Sequence, residues 1–355
     1  MIANMSEALQ KLGLVPFFSQ QVAGTDLLES RLGRVTSVQR SKSTVICDSG
    51  KRSVDLSPAL RQATALERPT VGDWVVLDES LARIEQVLER KSLFKRIGAG
   101  GGNEFQPIAA NVDILFIVTS CNEEFKESRL ERYLALCDEA GAMPVVILTK
   151  TDLCDDADAY VRRARGVLSG VAVETANALD PASLAGVRAW IDEASTIALV
   201  GSSGVGKSTL LNALAEDSLA VTSEIREQDK KGRHTTTHRE LHRLPSGGLL
   251  IDVPGMRELR VAEIDHSIAT VFEDIEQMAM QCQFIDCKHQ TEPGCAVLKA
   301  IEENRIDRRR LDNYRKLRRE NAFATATLAE KRAQGRDFAK MVKQVKLVKN
   351  KRDAT

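Results

Sequence analysis

The chain has 355 residues, 43% of them hydrophobic, and 50 basic side chains balance 50 acidic ones. This length predicts two or three domains, and the composition is that of a soluble protein with enough apolar residues for a core. No uncharged apolar run approaches about 18 residues and the start, MIANMSEALQ, lacks a basic region before an apolar stretch, so we expect no membrane span, no secretory signal and a cytoplasmic protein.

The N-terminal part predicts an extension followed by a small β-barrel. Residues 1–30 are polar and rich in Gln and Ser, and we expect little ordered structure there. Over residues 31–96, five short β-type runs alternate with turn signals: GRVTSV, STVIC, VDL, VGDWVVL and LARIEQVL. Five short strands in such a segment favour a closed barrel. The OB-fold is the natural candidate, and an SH3-like barrel fits the same pattern.

A glycine-rich segment and an alternation of strands and helices follow. Residues 97–107 have the composition of a flexible linker. Over residues 108–265, apolar strand patterns (DILFIV, MPVVILT, VAVET, TIALVG and GLLID) alternate with helical stripes. This alternation predicts a mostly parallel sheet with helices on both faces, whose ligands bind at the carboxyl ends of the strands. The helical stripes are Leu130, Tyr133, Leu134 and Cys137, and then Leu184, Val187, Trp190 and Ile191.

The segment GSSGVGKS follows a strand pattern and precedes a predicted helix over Thr209–Ala215. Its three glycines let backbone N–H groups surround phosphate at the start of that helix. Lys207 would reach the β- and γ-phosphates and take part in catalysis, and Ser208 would ligate Mg²⁺. The predicted phosphate contacts are Gly201, Ser202, Ser203, Gly204, Val205, Gly206, Lys207, Ser208 and Thr209.

A second magnesium ligand is predicted about fifty residues later, in the motif DVPG. Asp252 ends an apolar strand pattern and would hold Mg²⁺ through water. The backbone N–H of Gly255 would contact the γ-phosphate. The sequence DVPG would also fit an ordinary strand followed by a turn. The interpretation as a magnesium site therefore depends on the presence of the phosphate loop.

The motif TKTD predicts recognition of guanine. Asp152 can accept hydrogen bonds from guanine N1–H and N2–H₂, a donor pair that adenine lacks. The stem of Lys150 can lie along the base, and the backbone at Thr175 and Ala176 could donate to guanine O6. The predicted base contacts are Thr149, Lys150, Thr151, Asp152, Thr175 and Ala176.

The segment KKGRHTTTHRELHRL lies between the phosphate loop and Asp252. One threonine, Thr236 or Thr237, should contact Mg²⁺ when GTP is bound, and Thr236 is also a catalytic candidate. Met256 stands where many GTPases have the glutamine that orients the attacking water, so His234 is our candidate for that role. The spacing of His234, His238 and His242 could mimic a helical metal site, but the residues after the threonines alternate as a strand does.

A compact set of metal ligands follows. Cys282, Cys287, His289 and Cys295 supply three thiolates and one imidazole, a complete tetrahedral set for one structural Zn²⁺. Buried cysteines beside a surface histidine are the alternative. Because no coordination position is left open, such an ion would stabilise the fold and carry out no chemistry.

Together these motifs resemble the circularly permuted GTPase family, and closely its branch of ribosome small-subunit-dependent GTPases. The resemblance is carried by VGDWV, QPIAANVD, the order TKTD, GSSGVGKS, RHTTT, DVPG, and the Cys-Cys-His-Cys cluster. It implies an N-terminal OB barrel, a circularly permuted P-loop GTPase domain and a helical zinc-binding domain at 266–320. It also implies that the protein is a monomer that hydrolyses GTP with Mg²⁺ during late maturation of the small (30S) ribosomal subunit. The subunit and its rRNA would stimulate hydrolysis, and the nucleotide state would govern release.

The sequence departs from ordinary GTPases at Thr149, where Asn is usual, and it ends in a basic tail, 321–355. From Arg305 to Thr355 there are 17 Lys or Arg against 6 Asp or Glu, a net +11, which is typical either of contact with nucleic acid or of a solvated helical face. Because the permutation joins DVPG directly to residues 266–320, we expect motion at Gly255 to reach the zinc domain. Candidate phosphate-neutralising groups are Lys51, Arg52, Arg308 to Arg310, Arg318, Arg319 and Lys340 to Arg352.

Two other functions fit parts of the pattern. An RNA-binding assembly scaffold with negligible turnover is left open by Met256, although the intact Lys207, Ser208 and Asp252 argue against it. An ATPase with a similar phosphate loop is disfavoured by Asp152.

Overall fold

The computed structural model describes residues 6–23, 29–39, 42–98, 104–215, 239–252 and 263–326. The strands are β1 (Leu32–Val38), β2 (Ser43–Cys47), β3 (Gly50–Leu56), β4 (Trp74–Leu77), β5 (Arg83–Val87), β6 (Leu93–Ile97), β7 (Phe105–Ala110), β8 (Ile114–Ser120), β9 (Met143–Thr149), β10 (Ala172–Ala176), β11 (Thr196–Val200), β12 (Glu240–Arg243) and β13 (Leu249–Asp252). The helices are α1 (Glu7–Gln10), α2 (Pro16–Ser19), α3 (Pro58–Gln62), α4 (Glu127–Ala140), α5 (Ala157–Arg165), α6 (Ala185–Arg188), α7 (Lys207–Leu214), α8 (Asp265–Val271), α9 (Glu273–Ala279), α10 (Ala296–Glu302) and α11 (Arg308–Thr325).

Strands β1 to β5 close into a small barrel. The pairing runs β1–β2–β3–β5–β4 and returns to β1, with β3 and β5 parallel and the other pairs antiparallel. A five-stranded closure of this kind is OB-like. Its core includes Val35, Val45, Val54, Val75 and Ile84, all buried, because alternate residues of each strand face inward. The five strands predicted from the sequence are therefore confirmed.

The second part of the sheet has the order β10-β9-β8-β11-β13-β12. The first five of these strands are parallel and β12 is antiparallel to β13. Along β8, Leu115 and Ile117 join the core on the α4 face, whereas Phe116 and Val118 join the core on the α7 face. The sheet is thus covered by helices on both faces, as the continuous apolar runs predict. The central strand β11 pairs with β8, although β9 and β10 lie between these two strands in the chain.

The predicted helical stripe from Leu184 to Ile191 is shorter than expected. Residues Pro181–Leu184 form a 3-10 turn and α6 is one turn long. Leu184 and Val187 are buried, while the indole of Trp190 donates to Glu174 at 3.0 Å. The apolar spacing therefore marks the buried side chains correctly but overstates the length of the helix.

The expectation that residues 1–30 have little ordered structure is wrong for 6–23. Leu9, Leu12, Leu14 and Phe18 are all buried in the main core, and the rings of Phe18 and Trp74 lie 5.8 Å apart. Leu9 and Phe18 lie in the two short helices α1 and α2, Leu12 and Leu14 lie between these helices, and burial of the four side chains orders the segment. Trp74 is fully buried and belongs to this core rather than to an exposed surface.

A buried arginine joins these parts. Arg34, on β1, donates to the carbonyl oxygens of Leu12 and Gly72, and to the hydroxyl of Thr196 at 2.8 Å. Burial lowers the pKa of Arg34 to about 10, and the charges of nearby carboxylates oppose that shift. The guanidinium therefore stays charged and hydrogen-bonded where the N-terminal helices, the barrel and the start of β11 meet.

The expectation of a flexible linker at 97–107 is wrong at both of its ends. Strands β6 and β7 pair as an antiparallel hairpin, with Ile97 opposite Phe105 and Lys95 opposite Pro107. Lys95 forms ion pairs with Glu139 at 3.3 Å and Glu263 at 3.2 Å. The glycines at 100–102 lie outside the described residues. Composition alone could not reveal a hairpin whose stability comes from contacts with distant elements.

Helices α8 to α11 form a C-terminal helical unit that is held against α4. The fully buried carboxylate of Glu131 accepts hydrogen bonds from Arg309 at 3.0 Å, Arg310 at 3.1 Å and Asn313. A buried carboxylate requires such charged donors. Helix α4 also contributes Arg132, which forms an ion pair with Glu320 of α11.

Arg309, Arg310 and Arg318, three of the candidate phosphate-neutralising groups, form ion pairs inside the protein, and their contact with RNA stays a prediction. Arg310 also bonds to Asp274 at 2.8 Å, and Arg318 bonds to Glu276 at 2.5 Å. Their positive charge is used to join α11 to its neighbours. A run of basic residues in the sequence carries no information about acidic partners that only the fold brings close.

Candidate nucleotide site and metal centre

The predicted nucleotide motifs meet at one edge of the parallel sheet. Thr149 ends β9, Ala176 ends β10 directly opposite it, and Asp252 is the last residue of β13. The phosphate loop follows β11, which lies between β8 and β13. Because the carboxyl ends of parallel strands lie on the same side, one ligand can touch several of these segments.

The phosphate loop has the backbone that its glycines allow. Gly201 has φ 150°, and a Cβ there would lie 2.2 Å from the carbonyl oxygen of Val118. Gly206 has φ 92° and immediately precedes α7. Helix α7 therefore begins at Lys207, two residues earlier than predicted. The loop directs its backbone toward the N-terminus of a helix of eight residues, which is favourable for an anion.

The side chain of Lys207 is held within the loop. Its ammonium group donates to the carbonyl oxygen of Gly201 at 2.9 Å and also to that of Ser202. Val205 is buried and anchors the loop in the core, while Ser203 and Thr209 are exposed. The loop thus has an apolar anchor and a polar outer surface.

The TKTD motif touches the phosphate loop. The hydroxyl of Thr149 lies 2.5 Å from the carbonyl oxygen of Val205 and 3.1 Å from that of Thr119. Thr149 is 1% exposed, so this contact is inside the protein. One hydroxyl donates a single hydrogen, and the shorter distance favours Val205 as the acceptor. The order of the motifs in the chain gave no signal of this contact.

The residues after Thr149 turn outward. Lys150 has a left-handed backbone, φ 58° and ψ 37°, and it precedes a 3-10 turn over Thr151–Leu153. Asp152 is exposed in this turn. On the neighbouring strand Thr175 is exposed and Ala176 is buried. The carboxylate of Asp152, which is predicted to recognise the base, is therefore accessible. Asp152 lies three residues after Thr149, which contacts the phosphate loop.

Several predicted site residues lie outside the part of the chain that the structure describes. These are His234, Thr236, Thr237, Gly255 and the side chain of Asp252. His238 and Met256 lie there too. His242 is in strand β12, so a helical His234, His238, His242 metal site is contradicted at that residue.

The four predicted metal ligands converge. The ligand atoms of Cys282, Cys287, His289 and Cys295 all lie within 4.8 Å of one another. The Sγ atom of Cys282 is 3.9 Å from Sγ of Cys295 and 3.6 Å from Nδ1 of His289. A tetrahedral ion with metal–sulfur bonds of about 2.3 Å separates two sulfurs by roughly 3.8 Å, so this arrangement fits such an ion.

The chemistry of the cluster also fits a cation. Burial lowers the pKa of His289, which keeps its imidazole neutral and able to bind a metal. Burial, with the neighbouring thiols, raises the pKa of Cys287 to about 11. A bound divalent cation would favour the thiolate form. Cys295 also caps the N-terminus of α10, where its sulfur accepts from the backbone N–H of Leu298 at 3.4 Å.

The structure has a parallel sheet with a phosphate loop after its central strand, and the TKTD motif lies at the end of β9 at the same edge of the sheet. With the permuted order of these motifs in the chain, this arrangement defines a circularly permuted P-loop nucleotide-binding protein. The model of the RsgA GTPase family matches residues 87–262. A curated relative, the small ribosomal subunit biogenesis GTPase RsgA 2 of Vibrio parahaemolyticus, is 46% identical over 351 residues, which are 99% of this chain and 96% of the relative. The chain belongs to the RsgA GTPase family.

Other comparisons agree with this membership. The small ribosomal subunit biogenesis GTPase RsgA of Mesorhizobium japonicum is 43% identical over 91% of this chain and 93% of its own. The crystal structure of YjeQ from Thermotoga maritima is similar with a TM-score of 0.58 and 27% identity, over 81% of this chain and 96% of that one. The structure of YloQ, a circularly permuted GTPase, is 24% identical with a TM-score of 0.53, over 81% and 94% of the two chains, and supports the fold.

A second family model, that of the ABC transporter, matches residues 184–354. This match includes the phosphate loop, which many nucleotide-binding proteins share, but not Thr149 or Asp152. Among the described residues, no helix is long and apolar enough to cross a membrane.

Proposed function

We propose that this protein hydrolyses GTP as an assembly factor of the small (30S) ribosomal subunit. The observation that carries the proposal is the contact between Thr149 and Val205, because through it the predicted guanine motif touches the phosphate loop. A nucleotide held by the loop can then present its base to Asp152. The names of the curated relatives, small ribosomal subunit biogenesis GTPases, support the ribosomal role.

The proposed GTP contacts are distributed over the sheet edge. The backbone from Gly201 to Thr209 binds the phosphates, and Lys207 moves from its own loop carbonyls to the phosphate oxygens. Thr149, Lys150, Thr151 and Asp152 hold the base from one side. Thr175 and Ala176 offer backbone groups from the adjacent strand, and Gly255 contacts the γ-phosphate.

The magnesium ligands we propose are Ser208, Thr236 or Thr237, and Asp252. Ser208 lies in the first turn of α7 and Asp252 ends the adjacent strand β13, which supports a site between them. When bound with GTP, Mg²⁺ would neutralise charge that develops on the phosphates. Thr236 would contact this ion when the γ-phosphate is present.

His234 is our proposal for the group that orients the attacking water. The motivating observation is that Met256 follows Gly255 and has a thioether that cannot do so. Because a positioned general base contributes on the order of 100-fold or more, His234→Ala should reduce subunit-stimulated turnover strongly. A loss below about threefold would remove His234 from the mechanism.

The cluster of Cys282, Cys287, His289 and Cys295 holds one structural Zn²⁺ in this proposal. The domains we propose are an extension (1–30), the barrel (31–96), a connecting segment (97–107), the GTPase domain (108–265), the zinc-binding domain (266–320) and a basic tail (321–355). On loss of the γ-phosphate, movement of Gly255 would be transmitted to the zinc domain. The protein would act as a cytoplasmic monomer that contacts rRNA.

One experiment tests the proposed function. GTP and ATP hydrolysis are measured with and without purified small ribosomal subunits. We expect GTP hydrolysis that the subunit stimulates, and ATP hydrolysis at background. Equal use of ATP would contradict the guanine site, and turnover that stays negligible with the subunit present would favour a binding scaffold instead.

A further inference from the structure

The chain enters the C-terminal helical unit through two consecutive residues that contact different parts of the fold. Glu263 forms an ion pair with Lys95 of β6 at 3.2 Å. The backbone N–H of Ile264, directly before α8, donates to Oδ1 of Asn321 on α11 at 3.1 Å. The entry to α8 is therefore held by the β6–β7 hairpin through one residue and by α11 through the next.

These two contacts differ in strength. Ile264 and Asn321 are each 1% exposed, so their hydrogen bond lies inside the protein and is costly to break. The side chains of Lys95 and Glu263 are 22% and 53% exposed. An ion pair that water reaches in this way shifts an equilibrium by a factor of about five at most. Ile264 is thus a fixed point of the chain, whereas the contact at Glu263 can open at low cost.

The backbone of Glu263 is strained. Its φ of 57° is left-handed, which is unfavourable for a residue with a Cβ. Such a conformation persists only where neighbouring contacts hold it, and it is enriched at ligand sites and switch regions. Two other residues with positive φ, Lys150 and His289, lie in the TKTD motif and the metal cluster. Opening of the ion pair would let the backbone at Glu263 relax, which favours a second conformation at this point of the chain.

Lys95 has a second partner that keeps its charge paired when Glu263 moves away. Its ammonium group lies 3.3 Å from the carboxylate of Glu139 on α4, and 4.9 Å from the centre of the Phe105 ring. Because an ammonium group has three donors, Lys95 can be shared by the two carboxylates or can pair with Glu139 alone. Neither arrangement leaves a buried charge unpaired. The contact therefore has the two discrete states that coupling between distant sites requires.

We propose that Glu263 is a hinge between the nucleotide pocket and the C-terminal helical unit, and that Lys95 is the positioning residue that holds it closed. This inference rests on the proposed function, because it concerns how the small ribosomal subunit controls GTP hydrolysis. Glu263 comes eight positions after Gly255, the residue proposed to contact the γ-phosphate. The subunit binds the closed arrangement more tightly, so subunit binding and hydrolysis are linked through this ion pair.

The test compares Lys95→Met and Glu263→Gln with the control Lys91→Met. Lys91 forms a similar, partly exposed ion pair with Asp113 at 2.7 Å, outside the C-terminal unit. Turnover is measured with and without purified small subunits, and subunit affinity is measured with GDP and with a GTP analogue that cannot be hydrolysed. In both hinge variants we expect the subunit-stimulated turnover, and the ratio of the two affinities, to fall about threefold. Unstimulated turnover should not change, and the control should match the unaltered protein.

The double variant of Lys95→Met and Glu263→Gln separates one shared contact from two independent effects. Because both changes break the same ion pair, the double variant should lose no more stimulation than either single variant does. Full stimulation with an unaltered affinity ratio, or losses that add, would overturn the inference. An equal loss of unstimulated turnover would also overturn it, by assigning the ion pair to the fold alone. If subunits failed to stimulate even the unaltered protein, the proposed function would fail, and the hinge with it.

Discussion

The hydroxyl of Thr149 lies 2.5 Å from the carbonyl oxygen of Val205, inside the protein. The first residue belongs to the guanine motif and the second to the phosphate loop, 56 positions later in the chain. The fold thus brings the predicted guanine motif into contact with the phosphate loop, although the two segments are far apart in the chain. Thr149 stands where ordinary GTPases have Asn, and its hydroxyl makes this contact.

Removal of this hydroxyl should weaken nucleotide binding. In Thr149→Val the side chain keeps its shape but leaves the buried oxygen of Val205 without a donor, at a cost of about 1–3 kcal/mol. The loop then populates its binding conformation less often, and we expect GDP and GTP to bind about tenfold more weakly.

The matched control is Thr149→Ser, which retains the hydroxyl. Titration with a fluorescent guanine nucleotide measures both variants. Equal affinity of the Val and Ser variants would show that the contact does not support the pocket.

Removal of the metal should unfold the loop that holds it. Because the four ligand side chains would lose the ion that holds them together, a strong chelator should lower the melting temperature. Elemental analysis should find one zinc ion per chain.

Cys295→Ser should lose the ion, whereas Asp286→Asn, an exposed non-ligand in the same loop, should keep it. A Cys295→Ser protein with full zinc content and unchanged melting would exclude the proposed ligand set.

The strands of the barrel and of the parallel sheet, and the chemical motifs, were predictable from the sequence, and the reasons are local. MPVVILT forms β9 over the same residues as predicted because a continuous apolar run suits a buried parallel strand. The phosphate loop could be recognised because the spacing of its glycines and lysine is fixed by phosphate geometry. The four predicted metal ligands lie within 14 residues of one another, so their convergence needed no long-range information.

The parts that were not predictable depend on distant contacts. The N-terminal helices are ordered because Leu9 and Phe18 enter a core built by later strands. The β6–β7 hairpin is held by Lys95, whose partners Glu139 and Glu263 lie far along the chain. Composition describes such segments only as polar or glycine-rich.

The junction between α4 and α11 should depend on its buried carboxylate. Glu131 is fully buried and accepts from Arg309 and Arg310, so Glu131→Gln leaves two guanidinium groups without their anion. We expect a loss of about 3 kcal/mol in the free energy of unfolding, measured by urea denaturation.

Glu320→Gln removes the half-exposed ion pair with Arg132 on the same two helices. Because exposed pairs contribute less than about 1 kcal/mol, this control should lose much less. Similar losses in the two variants would contradict the role assigned to burial at Glu131.

The most direct test of the account is a change of base preference. The amide of Asn offers both a donor and an acceptor, which suits the N1–H and C2 carbonyl of xanthine, so Asp152→Asn should bind xanthosine diphosphate and lose affinity for GDP by on the order of 100-fold. Adding Lys207→Ala should abolish xanthosine diphosphate binding, if one pocket contains both side chains. Xanthosine diphosphate binding that survives in the double variant, or an unchanged preference for GDP in Asp152→Asn, would contradict the shared pocket.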